Sequence, residues 1–235
     1  MAAFRKSDTL LLFRLTVLLL TAVAVCDACC VPKTFYGAVR VLRSTVAPGM
    51  PDTSVQIYIS AYDAVHKRVG IQSFYSNTPP FTRNLLDFGK GLQYVITGND
   101  ANPKCTQYPL KATWREACMP DNATKSEGFY MGHQEQQYYH PMNAVAFTYT
   151  QGSVKAKVMV TQDECALVGE VVYDTSNKAG TNVINRLYVN QSTYANDDFF
   201  KLPPKTTCVV NPTPPPMSQW EYIALFGWLI GLPGN

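Results

Sequence analysis

Six cysteines, Cys29, Cys30, Cys105, Cys118, Cys165 and Cys208, are spread along the chain behind an apolar leader, and that distribution limits what it can fold into. None forms the Cys-x-x-Cys pairs of zinc ribbons or thioredoxin-like sites. They read instead as disulfide partners, which belong to an oxidising compartment. Neighbouring cysteines rarely meet the geometry of a shared bridge, so Cys29 and Cys30 are expected to tie the N-terminus to two distant segments. The spacing leaves the pairing open.

The leader supports that compartment. Arg5, Lys6 and Arg14 supply positive charge, Leu10 to Leu12 and Leu15 to Val25 supply apolar length, and Ala22, Ala24 and Ala28 are small residues where a signal peptidase cuts. The run from Leu15 to Val25 falls well short of the roughly 20 residues that span a bilayer. Residues 1–28 are therefore expected to be a removed signal peptide, and a cut after Cys26 or Ala28 leaves an even number of cysteines. Two sequons, Asn122-Ala-Thr124 and Asn190-Gln-Ser192, are intact and predict glycosylation at Asn122 and Asn190. Asn211-Pro-Thr is excluded by its proline.

The remainder has the length of one β-rich domain. Alternation of period two marks strands at Val55 to Ala61, Val69 to Tyr75, Leu92 to Ile96, Ala144 to Thr150, Val154 to Thr161, Ala166 to Asp174 and Val183 to Asn190. Turn signals separate them at Asp63 to Arg68, Gly89-Lys90-Gly91, Gly98 to Pro103, Gln151-Gly152 and Ser176 to Gly180. No helix of ten residues is visible. The expected fold is all-β: two antiparallel sheets forming a sandwich or open half-barrel with an apolar pocket, stapled by disulfides. Residues 99–142 read as an irregular excursion, and residues 211–235 as a proline-rich linker with an apolar tail too short to span a membrane.

Chemistry is sparse. The leader removes three cations and two carboxylates, so the rest of a chain of formal net charge +3 is nearly balanced, with no run of like charge to suit nucleic acid. His66 sits in a turn, while His133 and His140 are too far apart for a metal site on one helix face. There is no Gly-x-Ser-x-Gly elbow, phosphate-binding glycine loop or HExxH, and oxidised cysteines supply no thiol nucleophile. Asp163-Glu164 and Asp197-Asp198 read as turn residues rather than cation ligands. A binding protein is thus expected rather than an enzyme.

Binding is better supported. With 14 Tyr and 11 Phe, two curved sheets have the side chains to enclose an apolar cavity suited to lipids and other amphiphiles. The candidate lining is Ile57, Ile59, Phe74, Tyr94, Ile96, Phe147, Tyr149, Val158, Val160, Val171 and Tyr173.

Several stretches in order then carry a resemblance: Cys30-Val-Pro-Lys-Thr-Phe-Tyr-Gly37; Tyr62-Asp63 with Arg68-Val69; Asp87-Phe-Gly-Lys-Gly-Leu-Gln-Tyr94 followed by Cys105; and Val160-Thr-Gln-Asp-Glu-Cys165 with Val171-Val-Tyr173 and Cys208. Over residues 29–210 the chain resembles the ependymin-related family of secreted glycoproteins. The resemblance implies a lipoprotein-carrier-like sandwich, a deep apolar pocket, homodimers, and binding of anionic lipids or gangliosides favoured in lysosome-like acid. Calcium-sensitive association and cell–matrix adhesion are implied too, and form the alternative function, with calcium the one cofactor suggested. Protonated His66, His133 or His140 meeting anionic headgroups would give the acid preference. By position the resemblance pairs Cys105 with Cys208 and Cys165 with Cys29 or Cys30, leaving Cys118 for the other N-terminal cysteine. Cys118 and the tail after Cys208 depart from the family's pattern.

Overall fold

A computed structural model of the chain describes residues 29–46, 52–73, 81–99, 101–110, 112–131, 142–174, 181–194, 196–204 and 206–213. The expected signal peptide, Phe74, His133, His140 and the apolar tail lie outside these residues.

Period-two alternation produces long strands that pair with their chain neighbours. They are β1 (Thr34–Val46), β2 (Asp52–Asp63), β3 (Arg68–Ser73), β4 (Phe81–Asp87), β5 (Leu92–Asn99), β6 (Asn102–Pro109), β7 (Thr124–Lys125), β8 (Phe129–Met131), β9 (Met142–Gln151), β10 (Val154–Thr161), β11 (Leu167–Asp174), β12 (Thr181–Ser192) and β13 (Val209–Val210). Among the described residues one short helix, α1 (Asp197–Phe200), follows β12. Among the described residues the strands form a single hydrogen-bonded path, β13-β6-β5-β4-β3-β2-β1-β12-β11-β10-β9-β7, with β8 attached to β9. Pairing is antiparallel except between β13 and β6. The all-β, disulfide-stapled class is as expected, and the sheet stays open rather than closing into a barrel. Its two halves are continuous through β1 and β12.

Each face of this sheet buries its own cluster. The larger, inner cluster draws on both halves: Tyr58, Tyr62, Val69, Ile71 and Leu86 from β2 to β4, and Val145, Phe147, Tyr149, Val158, Val160 and Val172 from β9 to β11. The smaller, outer cluster joins Ala61, Leu85, Tyr94, Ile96 and Cys105 beneath Phe199 of α1. Adjacent residues divide between the two, Ala61 from Tyr62 and Leu85 from Leu86, because successive strand side chains point to opposite faces. Gly70 is the contact point for α1: a Cβ there would stand 2.6 Å from the Phe199 ring and 2.8 Å from Leu85.

The three disulfides are Cys29–Cys165, Cys30–Cys118 and Cys105–Cys208, so the adjacent cysteines do take separate partners. They close stretches of 136, 88 and 103 residues, and long closures restrict the unfolded chain most. Cys30–Cys118 draws the N-terminus and the 110–123 segment together, while Cys29–Cys165 ties the N-terminus to the β10–β11 connection. Met119 N–H donates to the Cys29 carbonyl at 2.8 Å, and Val31 N–H to that of Ala117 at 2.9 Å. Trp114 stacks on Tyr62 at 5.6 Å and meets Phe88 edge-on at 5.2 Å, while the Tyr62 hydroxyl accepts from Ala117 N–H at 3.2 Å. The stretch 99–142, expected to be irregular, instead contains β6, β7 and β8; the segment between β6 and β7 is irregular, and it is a plug: Ala117 and Met119 are buried in the inner cluster.

Candidate ligand site on the inner face

The inner face runs from this plug along β1 towards Arg43. Along β1 it presents Phe35, Val39, Val41 and then Arg43, and register sets Tyr188, Arg186 and Ile184 of β12 opposite the last three. Phe35 belongs to the plugged end, packing on Tyr62 and edge-on against Tyr188. At the other end Arg43 is half-buried and Gln56 is exposed.

The predicted lining divides between the faces. Phe147, Tyr149, Val158 and Val160 come together in the inner cluster. Tyr94 and Ile96 lie in the outer cluster with Ile59 packed against them. Ile57 and Val171 are half-buried outer-face positions, and Tyr173 is 40% exposed beside Lys155 and Lys157 in a surface hollow of about 490 Å³. Alternation reports which residues share a face, but not which face turns inward, because a one-residue change of phase exchanges the two.

The inner face also holds a polar hub. Arg186 Nη1 donates to Glu170 Oε2 at 2.7 Å, and both side chains are 1% exposed. The Tyr188 hydroxyl donates to the same oxygen at 3.4 Å. Arg43 Nη2 donates to the Tyr58 hydroxyl at 3.5 Å, and that hydroxyl donates to Gln56 Oε1. Burial pushes the Tyr188 and Tyr149 hydroxyls far up, with the Glu170 carboxylate adding to it and Arg186 opposing. Burial raises Tyr58 as well. These tyrosines are therefore neutral donors and acceptors at physiological pH. The available signal was phase: Glu170 alternates with Val168 and Val172, and Arg186 with Ile184 and Tyr188, which puts opposite charges at buried positions of adjacent strands.

A second polar centre sits at the β2–β3 turn. Asp63, 1% exposed, accepts from Arg68 Nε at 3.1 Å, from Arg68 Nη2 and from His66 N–H at 3.0 Å. His66 Nδ1 stands 2.7 Å from Asp63 Oδ2, which places the one described histidine in a turn clamp, away from the hub. Arg68 also binds Asp197 Oδ1 at 3.0 Å and lies 4.5 Å above the Phe200 ring. Burial alone would raise the Asp63 carboxyl, but the Arg68 and His66 hydrogen bonds outweigh it and hold it below the usual carboxylate range.

Asn122 and Asn190 are both exposed. Among the described residues no three His, Cys, Asp or Glu side chains group closely enough to hold a metal ion, and no helix is long and apolar enough to cross a membrane.

Comparison with known proteins adds a family. No curated protein matches the chain. Solved structures similar to it include PNGF-II, with 8% identity and a TM-score of 0.31 over 82% of this chain and 33% of that one, so the chain spans a third of the PNGF-II chain. Another is the LolA superfamily protein NE2245 from Nitrosomonas europaea, with 11% identity and a TM-score of 0.33 over 74% of this chain and 93% of that one. The family model described as Ependymin matches residues 76–208, more than half of the sequence. The chain belongs to the ependymin family.

Proposed function

We propose that the protein is a secreted or lysosomal glycoprotein that binds lipids, anionic lipids and gangliosides among them, against the inner face of its sheet. The observation that carries this reading is the course of that face. An aromatic and aliphatic wall containing Phe147, Tyr149, Val158 and Val160 is plugged at one end by Trp114 and Met119, and bears cations towards the other. An acyl chain lying there gains about 0.8 kcal/mol per buried CH₂ before ordering costs. Three disulfides and the leader support an extracellular route, and the exposure of Asn122 and Asn190 suits glycan attachment. The work is binding without covalent chemistry.

The test is mass spectrometry of organic extracts from the protein purified out of a secreting eukaryotic host. The expected result is a stoichiometric, chemically coherent set of lipids. A clean extract, repeated after incubation with anionic liposomes at acid pH, would sink this reading and favour calcium-sensitive adhesion through the surface and glycans.

A further inference from the structure

The hub on the inner face carries more positive charge than its described groups neutralise. Arg186 pairs with Glu170, the one carboxylate described in the hub, and among the described residues the Arg43 guanidinium bonds only to the Tyr58 hydroxyl, while Tyr58, Tyr149 and Tyr188 are neutral. Register sets Arg186 opposite Val41 and Arg43 opposite Ile184, so the two guanidiniums are diagonal neighbours on one face of adjacent strands. Arg186 is 1% exposed, yet among the described residues only its Nη1 is engaged: Nε and Nη2 are buried with no described hydrogen-bond partner. Arg43 Nε is buried and unpartnered as well. Buried N–H donors are almost always satisfied, so three at one place point to an acceptor from outside the chain.

The geometry of the donors narrows that acceptor. Nε and Nη2 form one edge of a guanidinium, the edge that binds a carboxylate through two parallel hydrogen bonds. One monoanion would balance the charge. The surroundings select what the anion is attached to. Val158 stands opposite Glu170, and Phe147 opposite Val158, an apolar run leading from the hub across β10 to β9.

We propose that Arg186 and Arg43 hold the carboxylate of a single-chain fatty acid whose acyl chain lies across Val158 and Phe147. This rests on the lipid-binding reading above and sharpens it: the charged end of the ligand lies inside the fold, whereas a bulky headgroup would have to stay outside. Glu170 is a positioning residue, since its bond to Nη1 turns the other edge of Arg186 towards the ligand.

The experiment compares oleate with oleyl alcohol, the same chain without the charge, by titration calorimetry on the full-length secreted protein and on Arg43→Met. The expected result is that the native protein binds oleate at least about tenfold more tightly than the alcohol, as charge-assisted bonds predict. Arg43→Met should remove much of that preference and leave alcohol binding in place. The double variant Glu170→Gln/Arg186→Met, which leaves no charge buried alone, should remove the rest. Equal affinity for oleate and the alcohol in the native protein, or a preference untouched by both variants, overturns the carboxylate site while leaving lipid binding intact. Binding of neither probe overturns both.

Discussion

The two buried carboxylates among the described residues, Asp63 and Glu170, are each 1% exposed and each paired to arginine, yet they differ in how completely their partners are used. Around Asp63 the bonds are shared out. Arg68 serves Asp63 and Asp197, His66 adds its backbone and ring, and Phe200 lies beneath the guanidinium. Around Glu170, Arg186 keeps two N–H groups idle. A satisfied network fixes a turn and a helix in place, whereas an incomplete one in the core carries an energetic cost that a ligand can offset. The comparison teaches that charge, burial and pairing alone do not mark a site; unused hydrogen-bonding capacity does.

The largest effect should come from breaking the hub one-sidedly. Arg186→Met removes the guanidinium bonded to buried Glu170 and is expected to cost about 3–5 kcal/mol in chemical denaturation. Adding Glu170→Gln should recover most of that loss. No recovery would mean that the pair contributes through packing rather than charge. Next comes the clamp. Asp63→Asn should cost about 1.5–3 kcal/mol by weakening charge-assisted bonds, with lipid binding unchanged. Because the folded Asp63 carboxyl is depressed, its contribution is present above the ordinary carboxylate range and is lost as pH falls through the folded value. Acid denaturation below about pH 4 should therefore be shallower in Asp63→Asn, as followed by circular dichroism against pH.

Two smaller effects sharpen the contrast. Gly70→Ala drives a methyl against the Phe199 ring and Leu85, and should cost about 1–3 kcal/mol in thermal melts through displacement of α1, sparing the inner face. At high pH the order reverses. Tyr188 and Tyr149 have raised folded values, so the stability they contribute is present below about pH 10 and is lost as pH rises towards those values. Tyr188→Phe should soften that alkaline transition by a fraction of a kcal/mol per pH step near its onset, read from tyrosinate absorbance.

Much of the fold was legible because period-two alternation is a local signal. Strands β2, β3, β5 and β9 to β12 lie where it runs, and the Asp63–Arg68 turn where Asp63 accepts from His66 N–H. Strand β1 went unread: Gly37 interrupts it and a register shift follows between Tyr36 and Ala38, which breaks the alternation before Val39 and Val41 restore it. Strand β6, Asn102–Pro109, is polar and proline-bounded, and its pairing with β5 comes from the tight turn at Gly98, whose φ of +107° suits glycine. Half a dozen of the residues expected to line a shared cavity occupy the outer face, because alternation has no sign. The hub needed knowledge of which strands are neighbours: Glu170 and Arg186 meet only because β11 pairs with β12 in that register.

The most direct test of the account is photo-crosslinking with a diazirine-bearing fatty acid, followed by peptide mapping of the adducts. Adducts confined to inner-face positions around Phe147, Tyr149, Val158 and Val160, and competed away by oleate, are the predicted result. Adducts on the outer face around Tyr94, Ile96 or Tyr173, or labelling that oleate does not compete, would contradict it.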